Sequence, residues 1–418
     1  MQTFTLIFLA TLFLTTLVQF WLATRHIQHV KAHRSQVPEN FSSQIDLAAH
    51  QKAADYTCAK TRSSYISIIQ QAIILLALTL GGGLNALNAF WSGFIDNTLI
   101  HGVVLIVSTY LIISFLDIPL SYYHTFVIEE KFGFNKMTPG MFFADLVKQS
   151  LLGMMLGVPL LLGVLWLMEK MGEHWWVYVW LAWIGFNLLV LAIYPTWIAP
   201  LFNKFTPLED NALKTRIEQL MEKCGFQASG LFVMDGSKRS SHGNAYFTGF
   251  GKTKRIVFFD TLLSRLSPTE IVAVLAHELG HFKHRHVLKR IISSFVLSLV
   301  FLWMLGYVME QNWFYKGLGV SVSTVPSPAM ALLLFFLVMP VFTFLFSPIS
   351  SLYSRKHEFE ADAYAAKNSS AEDLINALVK LYQDNASTLT PDPIHSAFYD
   401  SHPPASIRVV NLQNQGLR

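Results

Sequence analysis

Long apolar stretches alternate with polar segments along this chain of 418 residues. A helix needs about 20 consecutive, mostly apolar residues to cross a bilayer. The alternation therefore predicts seven transmembrane helices, near residues 4–23, 66–90, 99–117, 150–168, 175–195, 291–309 and 329–349. The first stretch is followed by Arg25 and by no small-residue cleavage site, which is typical of a retained anchor and not of a signal peptide.

The polar segments divide the chain into four regions. An N-terminal membrane region with five predicted transmembrane helices covers residues 1–195, and a polar domain covers residues 196–290. Two further transmembrane helices are predicted within residues 291–350, and a polar C-terminal region covers residues 351–418.

Shorter patterns predict a mixed α/β structure in the polar domain. Residues 210–224 are predicted as a helix that ends at Gly225, because glycine is favoured just past a helix end. Three strands are predicted from short apolar runs, at residues 231–234, 244–248 and 255–260, with a turn over residues 249–254 between the last two. Loops are predicted elsewhere in the chain at residues 35–45, 319–328 and 386–400.

The composition excludes an ordinary soluble domain. Hydrophobic residues make up 52% of the chain and charged residues 14%, and the mean hydropathy is +0.40. This balance is typical of a multi-pass membrane protein. Only two cysteines are present, Cys58 and Cys224, and they have neither metal-binding spacing nor the context of a disulfide.

The distribution of basic residues predicts the orientation in the membrane. Six Lys or Arg residues lie in the segment 24–64 and three lysines in the segment 118–149, whereas the alternate loops carry only Lys170 and Lys316. Because basic loops stay in the cytosol, we expect an external N-terminus. Seven crossings then place both the polar domain and the C-terminal region in the cytosol. These loops also account for the net charge of +4, and no basic stripe interleaved with aromatic residues indicates nucleic-acid binding.

The most specific chemical motif is His277-Glu278-Leu279-Gly280-His281 in the polar domain. On a helix, residues four apart share one face, so both imidazoles can bind one Zn²⁺ while Glu278 reaches the water that the ion activates. Ser267, Pro268 and Glu270 supply the cap of such a helix. The motif predicts a zinc metalloprotease core with one ion.

A catalytic zinc ion needs a third protein ligand. The metzincin pattern requires Gly at 284 and His at 287, where this chain has His284 and Val287, so that class is excluded. His284 and His286 are interpreted as solvated charge near the membrane surface. The third ligand is expected downstream, where an acidic cluster leaves the choice open among Glu358, Glu360 and Asp362.

Two motifs together resemble a known family. His277-Glu278-x-x-His281 with Ser354-Arg355-x-x-Glu358-x-x-Ala361-Asp362 is similar to the type-1 CAAX prenyl endopeptidases, which are integral-membrane zinc proteases of the gluzincin kind. Residues 126–136, 198–208, 244–247 and 401–403 resemble further family segments. The resemblance implies a mostly α fold, in which seven transmembrane helices enclose a chamber and a small α/β metalloprotease domain lies on the cytosolic side.

The resemblance also implies roles for individual residues. His277, His281 and Glu358 are expected to hold the zinc ion, with Glu278 as the general base. Asp362 is expected to accept a hydrogen bond from a ligand imidazole, and His402 to donate one to the developing oxyanion. Asn244 and Ala245 are expected to hold the substrate main chain at an edge strand, whereas Arg408 either supports the site or the substrate C-terminus or is a plain surface residue.

The predicted function is that of a membrane-embedded zinc endopeptidase. By resemblance its substrate is a peptide or protein, lipidated as a prenylated CAAX peptide and cut near its C-terminus, at a site facing the cytosol and in contact with membrane lipids. The expected location is a bacterial inner membrane or the endoplasmic reticulum membrane. One alternative is a broader quality-control protease for membrane proteins. Alternatives of another class are a catalytically idle zinc-binding scaffold and a metal transporter, which would need polar ligands at the membrane midplane.

Overall fold

The fold combines a long-helix membrane bundle with a small sheet domain. The computed structural model describes residues 2–248, 255–321 and 327–416. Its helices are α1 (Thr3–Ala32), α2 (Leu47–Leu78), α3 (Gly83–Ser92), α4 (Thr98–Tyr123), α5 (Glu130–Phe132), α6 (Pro139–Lys170), α7 (Trp175–Ile193), α8 (Asn211–Lys223), α9 (Asp260–Leu263), α10 (Pro268–Lys283), α11 (His286–Val308), α12 (Asn312–Gly317), α13 (Pro328–Thr343), α14 (Ser347–Asn368), α15 (Ala371–Asp384), α16 (Pro393–Tyr399) and α17 (Ala405–Gly416). Its strands are β1 (Phe205–Pro207), β2 (Gly230–Met234), β3 (Ala245–Thr248) and β4 (Arg255–Phe259).

Seven helical segments among the described residues are long and apolar enough to cross a membrane, which confirms the predicted number. They comprise α1, α2, α4 with its extension to Phe132, α6, α7 with its extension to Leu201, α11, and α13 continued into α14. Large apolar side chains of these segments, such as Phe13, Phe115 and Trp197, are exposed. Because lipid tails are themselves apolar, such an exterior suits a bilayer.

The second predicted span, 66–90, is wrong at both ends. Helix α2 starts at Leu47 behind the N-cap Asp46 and stops at Leu78. A separate helix, α3, begins after Gly82, whose φ of 77° lies in the left-handed region that favours glycine. The apolar run therefore contains a helix break that its hydropathy does not reveal.

Several other boundaries also differ from the prediction. The loop predicted at 386–400 contains helix α16, which Asp392 caps through its side chain. Helices α11 and α14 run through the region boundaries placed at residues 290 and 350. Helix α12 and strand β1 were not predicted at all. The predicted turn at 249–254 and residues 322–326 of a predicted loop lie outside the described residues.

The sheet domain has four strands in the order β1-β2-β4-β3. Strands β2 and β4 are parallel, whereas β1 and β3 pair antiparallel with their neighbours. The predicted strands and the helix predicted at 210–224 are confirmed to within two residues. Apolar side chains of the sheet and of α8 and α10, among them Phe258, Ile217 and Ile271, form one buried core. Strand β3 lies at the edge of the sheet.

The contact between α10 and α14 sets the geometry of the site. A Cβ atom on Gly280 would lie 2.8 Å from the Cα of Ala361, so only glycine allows the two backbones this close. The acidic residues near Ala361 in α14 are thereby brought against the two motif histidines in α10.

Candidate active site

The helix that carries the motif begins with the predicted capping box. The Ser267 side chain accepts a hydrogen bond from the Glu270 backbone, and the Glu270 carboxylate accepts one from Ser267 N at 2.7 Å. Lys380 lies 2.8 Å from the same carboxylate. These contacts satisfy backbone donors that the first turn would otherwise leave free, and so fix where α10 starts.

His277, His281 and Glu358 meet at one point. The Nε2 atoms of the two histidines are 3.2 Å apart, and the Glu358 carboxylate faces both of them, with Oε2 3.5 Å from His277 Nε2 and Oε1 3.5 Å from His281 Nε2. His277 and Glu358 are buried, and Glu358 Oε2 has no hydrogen-bond partner. Three metal-binding atoms thus converge where the protein itself leaves an acceptor unsatisfied.

These separations fit a zinc ion. Tetrahedral zinc with ligand distances near 2.05 Å places its ligand atoms about 3.3 Å from one another. The observed values of 3.2 and 3.5 Å bracket that distance. Two imidazoles and one carboxylate are also a ligand set of catalytic zinc sites, which leave a fourth position open.

Behind His277 stand Asp362 and Arg408; these three residues are called the His277 side of the site. His277 Nδ1 lies 2.8 Å from Asp362 Oδ1, and Arg408 donates to both carboxylate oxygens of Asp362, at 2.9 and 2.6 Å. Arg408 is only 6% exposed, so the interpretation of it as a surface residue is wrong. Its guanidinium instead compensates the charge of a fully buried aspartate.

Behind His281 stand His286 and Glu360; these three residues are called the His281 side. His281 Nδ1 lies 2.9 Å from His286 Nδ1, and His286 Nε2 lies 2.8 Å from Glu360 Oε2. His284 is exposed as expected, but His286 is 1% exposed, so the interpretation of it as solvated charge is wrong. No sequence signal marked this difference, because it depends on a chain reversal at Arg285.

The surroundings shift the pKa values of the ionisable motif residues in α10 in different directions. Burial lowers the pKa of His277, but the hydrogen bond to Asp362 and the nearby Glu358 carboxylate outweigh it and raise the pKa to about 9. Burial and the charge of His277 lower the pKa of His281 to about 3. Burial also raises the pKa of the Glu278 carboxyl. A raised carboxyl pKa is what a general base working near neutral pH requires.

Two cavities adjoin this point. The first, here called the chamber, has a volume of about 820 Å³ and is lined by Glu278, His281 and Glu358 together with apolar side chains. The second, called the polar cavity, has about 720 Å³ and is lined mainly by polar residues. His402 lines both, and its Nε2 lies 3.4 Å from Glu358 Oε1. Its side chain is 63% exposed and lines both cavities, and desolvation by the surrounding protein lowers its pKa.

Arg355 holds the loop that carries His402. Its guanidinium donates to the Ser396 carbonyl at 2.6 Å and to the Asp400 carbonyl at 3.2 Å. Arg355 belongs to the quoted α14 motif, yet no role was predicted for it. It ties the helix that supplies Glu358 to the loop that supplies His402.

The edge strand β3 runs along both cavities. Asn244 lines the polar cavity, whereas Tyr246 and Phe247 line the chamber. The Asn244 carbonyl accepts from Phe259 N at 3.0 Å, so in this antiparallel pair the backbone groups of Ala245 and Phe247 point to the free edge. The Asn244 side chain itself accepts from Ala245 N at 2.8 Å. The carbonyls of alternate residues are left available to an added strand.

Similarity to known proteins extends over nearly the whole chain. The family model described as "CAAX prenyl protease N-terminal, five membrane helices" matches residues 26–204, and that of "Peptidase family M48" matches residues 207–415. A CAAX prenyl protease 1 homolog of Caenorhabditis elegans is 35% identical over 412 residues, 92% of each chain. The Homo sapiens homolog is 31% identical over 461 residues, 97% of this chain and 95% of that protein. The crystal structure of S. mikatae Ste24p is similar with a TM-score of 0.91 and 33% identity, covering 99% of each chain.

The bundle, the sheet domain and the family matches together define a membrane metalloendopeptidase. This chain belongs to peptidase family M48, among the CAAX prenyl protease 1 proteins, as the two quoted motifs indicated. Membership in a hydrolase family leaves the metal-transporter alternative without support.

Proposed function

We propose that this protein is a zinc endopeptidase that cuts prenylated CAAX peptides near their C-terminus, at a site facing the cytosol. The observation that carries the proposal is the meeting of His277, His281 and Glu358 next to Glu278, between an apolar and a polar cavity. The names of the relatives from Caenorhabditis elegans and Homo sapiens support the same substrate class.

In this proposal His277, His281 and Glu358 hold the metal and Glu278 acts as the base. A bound zinc ion lowers the pKa of a water molecule to about 7 and polarises the peptide carbonyl. Glu278 accepts the proton of the attacking water and passes it to the leaving amine, a contribution of about 10²- to 10⁴-fold in rate. Its position on the chamber wall gives it access to the substrate.

His402 stabilises the negative charge that develops on the carbonyl oxygen. Its imidazole lies close to Glu358 and is open to both cavities, so it can reach an oxygen at the scissile bond. Because its pKa is lowered, it donates as a neutral imidazole at neutral pH. Removing one such donor typically costs about 10²- to 10³-fold in turnover.

The substrate binds as an additional strand on β3. The backbone carbonyls of Ala245 and Phe247, which point to the free edge, accept hydrogen bonds from the substrate main chain, and Asn244 lies at the end near the polar cavity. The chamber wall includes Leu191, Phe282 and Ile291, which suit a prenyl chain on the cysteine. The short tail after the cysteine then extends into the polar cavity.

The orientation with the site in the cytosol rests on the basic loops. Arg25, Lys31 and Arg34, in the last turns of α1 and just after it, lie on the same side of the bundle as the C-terminal region that supplies His402, because Arg25 pairs with Asp392, the N-cap of α16, at 2.8 Å. The positive-inside rule assigns such a cluster to the cytosol. In a eukaryotic cell the membrane is that of the endoplasmic reticulum.

The proposal is tested with purified protein, a farnesylated CAAX peptide and its unprenylated control. We expect the wild type to cleave the farnesylated peptide faster, and chelator to abolish cleavage. Glu278→Gln should retain zinc but lose turnover by about 10²-fold or more, because the amide is no base. Equal turnover in Glu278→Gln would remove Glu278 as the base, and equal cleavage of both peptides would favour the broader quality-control protease.

A further inference from the structure

A chain of three hydrogen-bonding groups leads from His281 away from the metal-binding point. We infer that His286 and Glu360 position His281, acting as a relay that fixes the orientation and the tautomer of its ring. This inference rests on the proposed role of His281 as a metal ligand. The relay is the counterpart of the contact between His277 and Asp362, but with an imidazole inserted between the ligand and the carboxylate.

The tautomers follow from the geometry. If the Nε2 lone pair of His281 faces the metal, the ring proton is on Nδ1. The nitrogen that it meets at 2.9 Å, His286 Nδ1, must then accept. A neutral His286 consequently carries its proton on Nε2, which donates to Glu360 at 2.8 Å. Each ring nitrogen of His281 and His286 thus has one partner, and every hydrogen bond in the relay is donated in the direction of Glu360.

The chain reversal at Arg285 creates this contact. In one continuous helix, residues five apart point about 140° away from each other. Arg285 instead has a φ of 56°, in the left-handed region, and the chain turns there between α10 and α11. A non-glycine residue in this conformation costs about 1 kcal/mol or more and is kept only where its surroundings require it. Here the turn brings the His286 ring next to Nδ1 of His281.

Ring packing holds His286 in place. Its imidazole stacks on the buried ring of His357 with centroids 4.0 Å apart and an interplanar angle of 13°. Tyr353 packs edge-on against His357 at 4.4 Å. A ring supported in this way loses little freedom when it accepts the hydrogen bond from His281 Nδ1, as a positioning residue should.

His286, His357 and Glu360 also lie close enough together to hold a metal ion of their own. Such an ion would need the Nε2 lone pair of His286, which would move the proton to Nδ1. Two N–H groups would then face each other across the 2.9 Å gap to His281. The stacked rings of His286 and His357 also direct their lone pairs along nearly parallel planes. The relay and a second ion therefore exclude each other, and the ring geometry favours the relay.

The test measures zinc affinity in the purified full chain by competition with a chromophoric chelator, with no substrate present. His286→Phe keeps the ring and removes both nitrogens, and we expect it to weaken zinc binding about 10- to 100-fold. His286→Gln offers an acceptor and a donor in the same order and should recover most of the loss. The control is His174→Phe, the same change at an exposed histidine just before α7 and away from the site, which should leave the affinity unchanged.

A second variant and the metal content complete the test. Glu360→Ala, at a carboxylate that is 32% exposed, should weaken binding in the same direction but by less, and it carries the test if His286→Phe fails to fold. Elemental analysis should give one zinc per chain. Unchanged affinity in His286→Phe and Glu360→Ala would overturn the relay, and so would a second ion in the wild type that His286→Phe removes. Absence of any zinc in the wild type would instead refute the proposed function.

Discussion

The His277 side and the His281 side hold the two proposed zinc ligands in different ways. On the His277 side a fully buried aspartate contacts the ligand directly, and the buried Arg408 compensates its charge. On the His281 side a neutral imidazole lies between the ligand and Glu360, which is partly exposed. Burying a charge is costly unless it is paired, whereas an exposed charge is screened by water. We therefore expect the His277 side to be the more sensitive to substitution.

The largest expected difference between the two sides concerns stability. Arg408→Ala removes the permanent positive charge beside the buried Asp362 and leaves only His277 in contact with it, which costs about 3–5 kcal/mol in the free energy of unfolding. Glu360→Ala removes an acid that water can reach and should cost about 1 kcal/mol or less. Thermal unfolding of both variants in detergent checks the difference. Equal destabilisation would show that the two sides do not differ in the way their charges are compensated.

The next effect concerns zinc affinity. Asp362→Asn removes the charge in direct contact with His277 and should weaken zinc binding by about 10- to 100-fold. Glu360→Gln still offers His286 an acceptor, so its effect should be only a few-fold. Chelator competition measures both values. A weaker effect at Asp362 than at Glu360 would reverse the proposed ranking of the two sides.

The pH dependence of zinc binding should come from the His277 side alone. The pKa of His277 is raised to about 9 and that of His281 is lowered to about 3, so at pH 7 only His277 carries a proton that zinc must displace. Affinity should therefore rise about tenfold per pH unit between pH 7 and 9 and level off above that range. Calorimetry in buffers of different ionisation enthalpy should detect release of about one proton at pH 7. Release of two protons would show that His281 is also charged.

The smallest effect should follow from Arg285→Gly. Glycine adopts the left-handed conformation without strain but loses more entropy on folding, and these contributions nearly cancel. We expect the free energy of unfolding to change by less than about 1 kcal/mol and zinc affinity to stay the same. A large loss of affinity would show that the Arg285 side chain, and not its backbone conformation, supports the His281 side.

The His277 side could be predicted from the sequence better than the His281 side. Residues His277, Glu278, His281, Glu358 and Asp362 have helical spacing, so their shared faces could be predicted. His286 could not, because its contact depends on one backbone angle at Arg285 that no residue preference announces. In the membrane region hydropathy predicted the number of spans but not the break between α2 and α3, since breaks and spans are equally apolar there. Burial of Arg408 likewise depends on where α17 packs.

The close contact of Gly280 with Ala361 joins helices α10 and α14, which the ribosome synthesises one after the other with α11 and α13 between them. A growing polypeptide that has reached residue 346 already contains the His-Glu-x-x-His helix but has no Glu358 and no Asp362. Helices α11 and α13 must be inserted before α14 can return to α10. During biosynthesis the proposed zinc ligands His277, His281 and Glu358 can therefore come together only after α13 and α14 have been made.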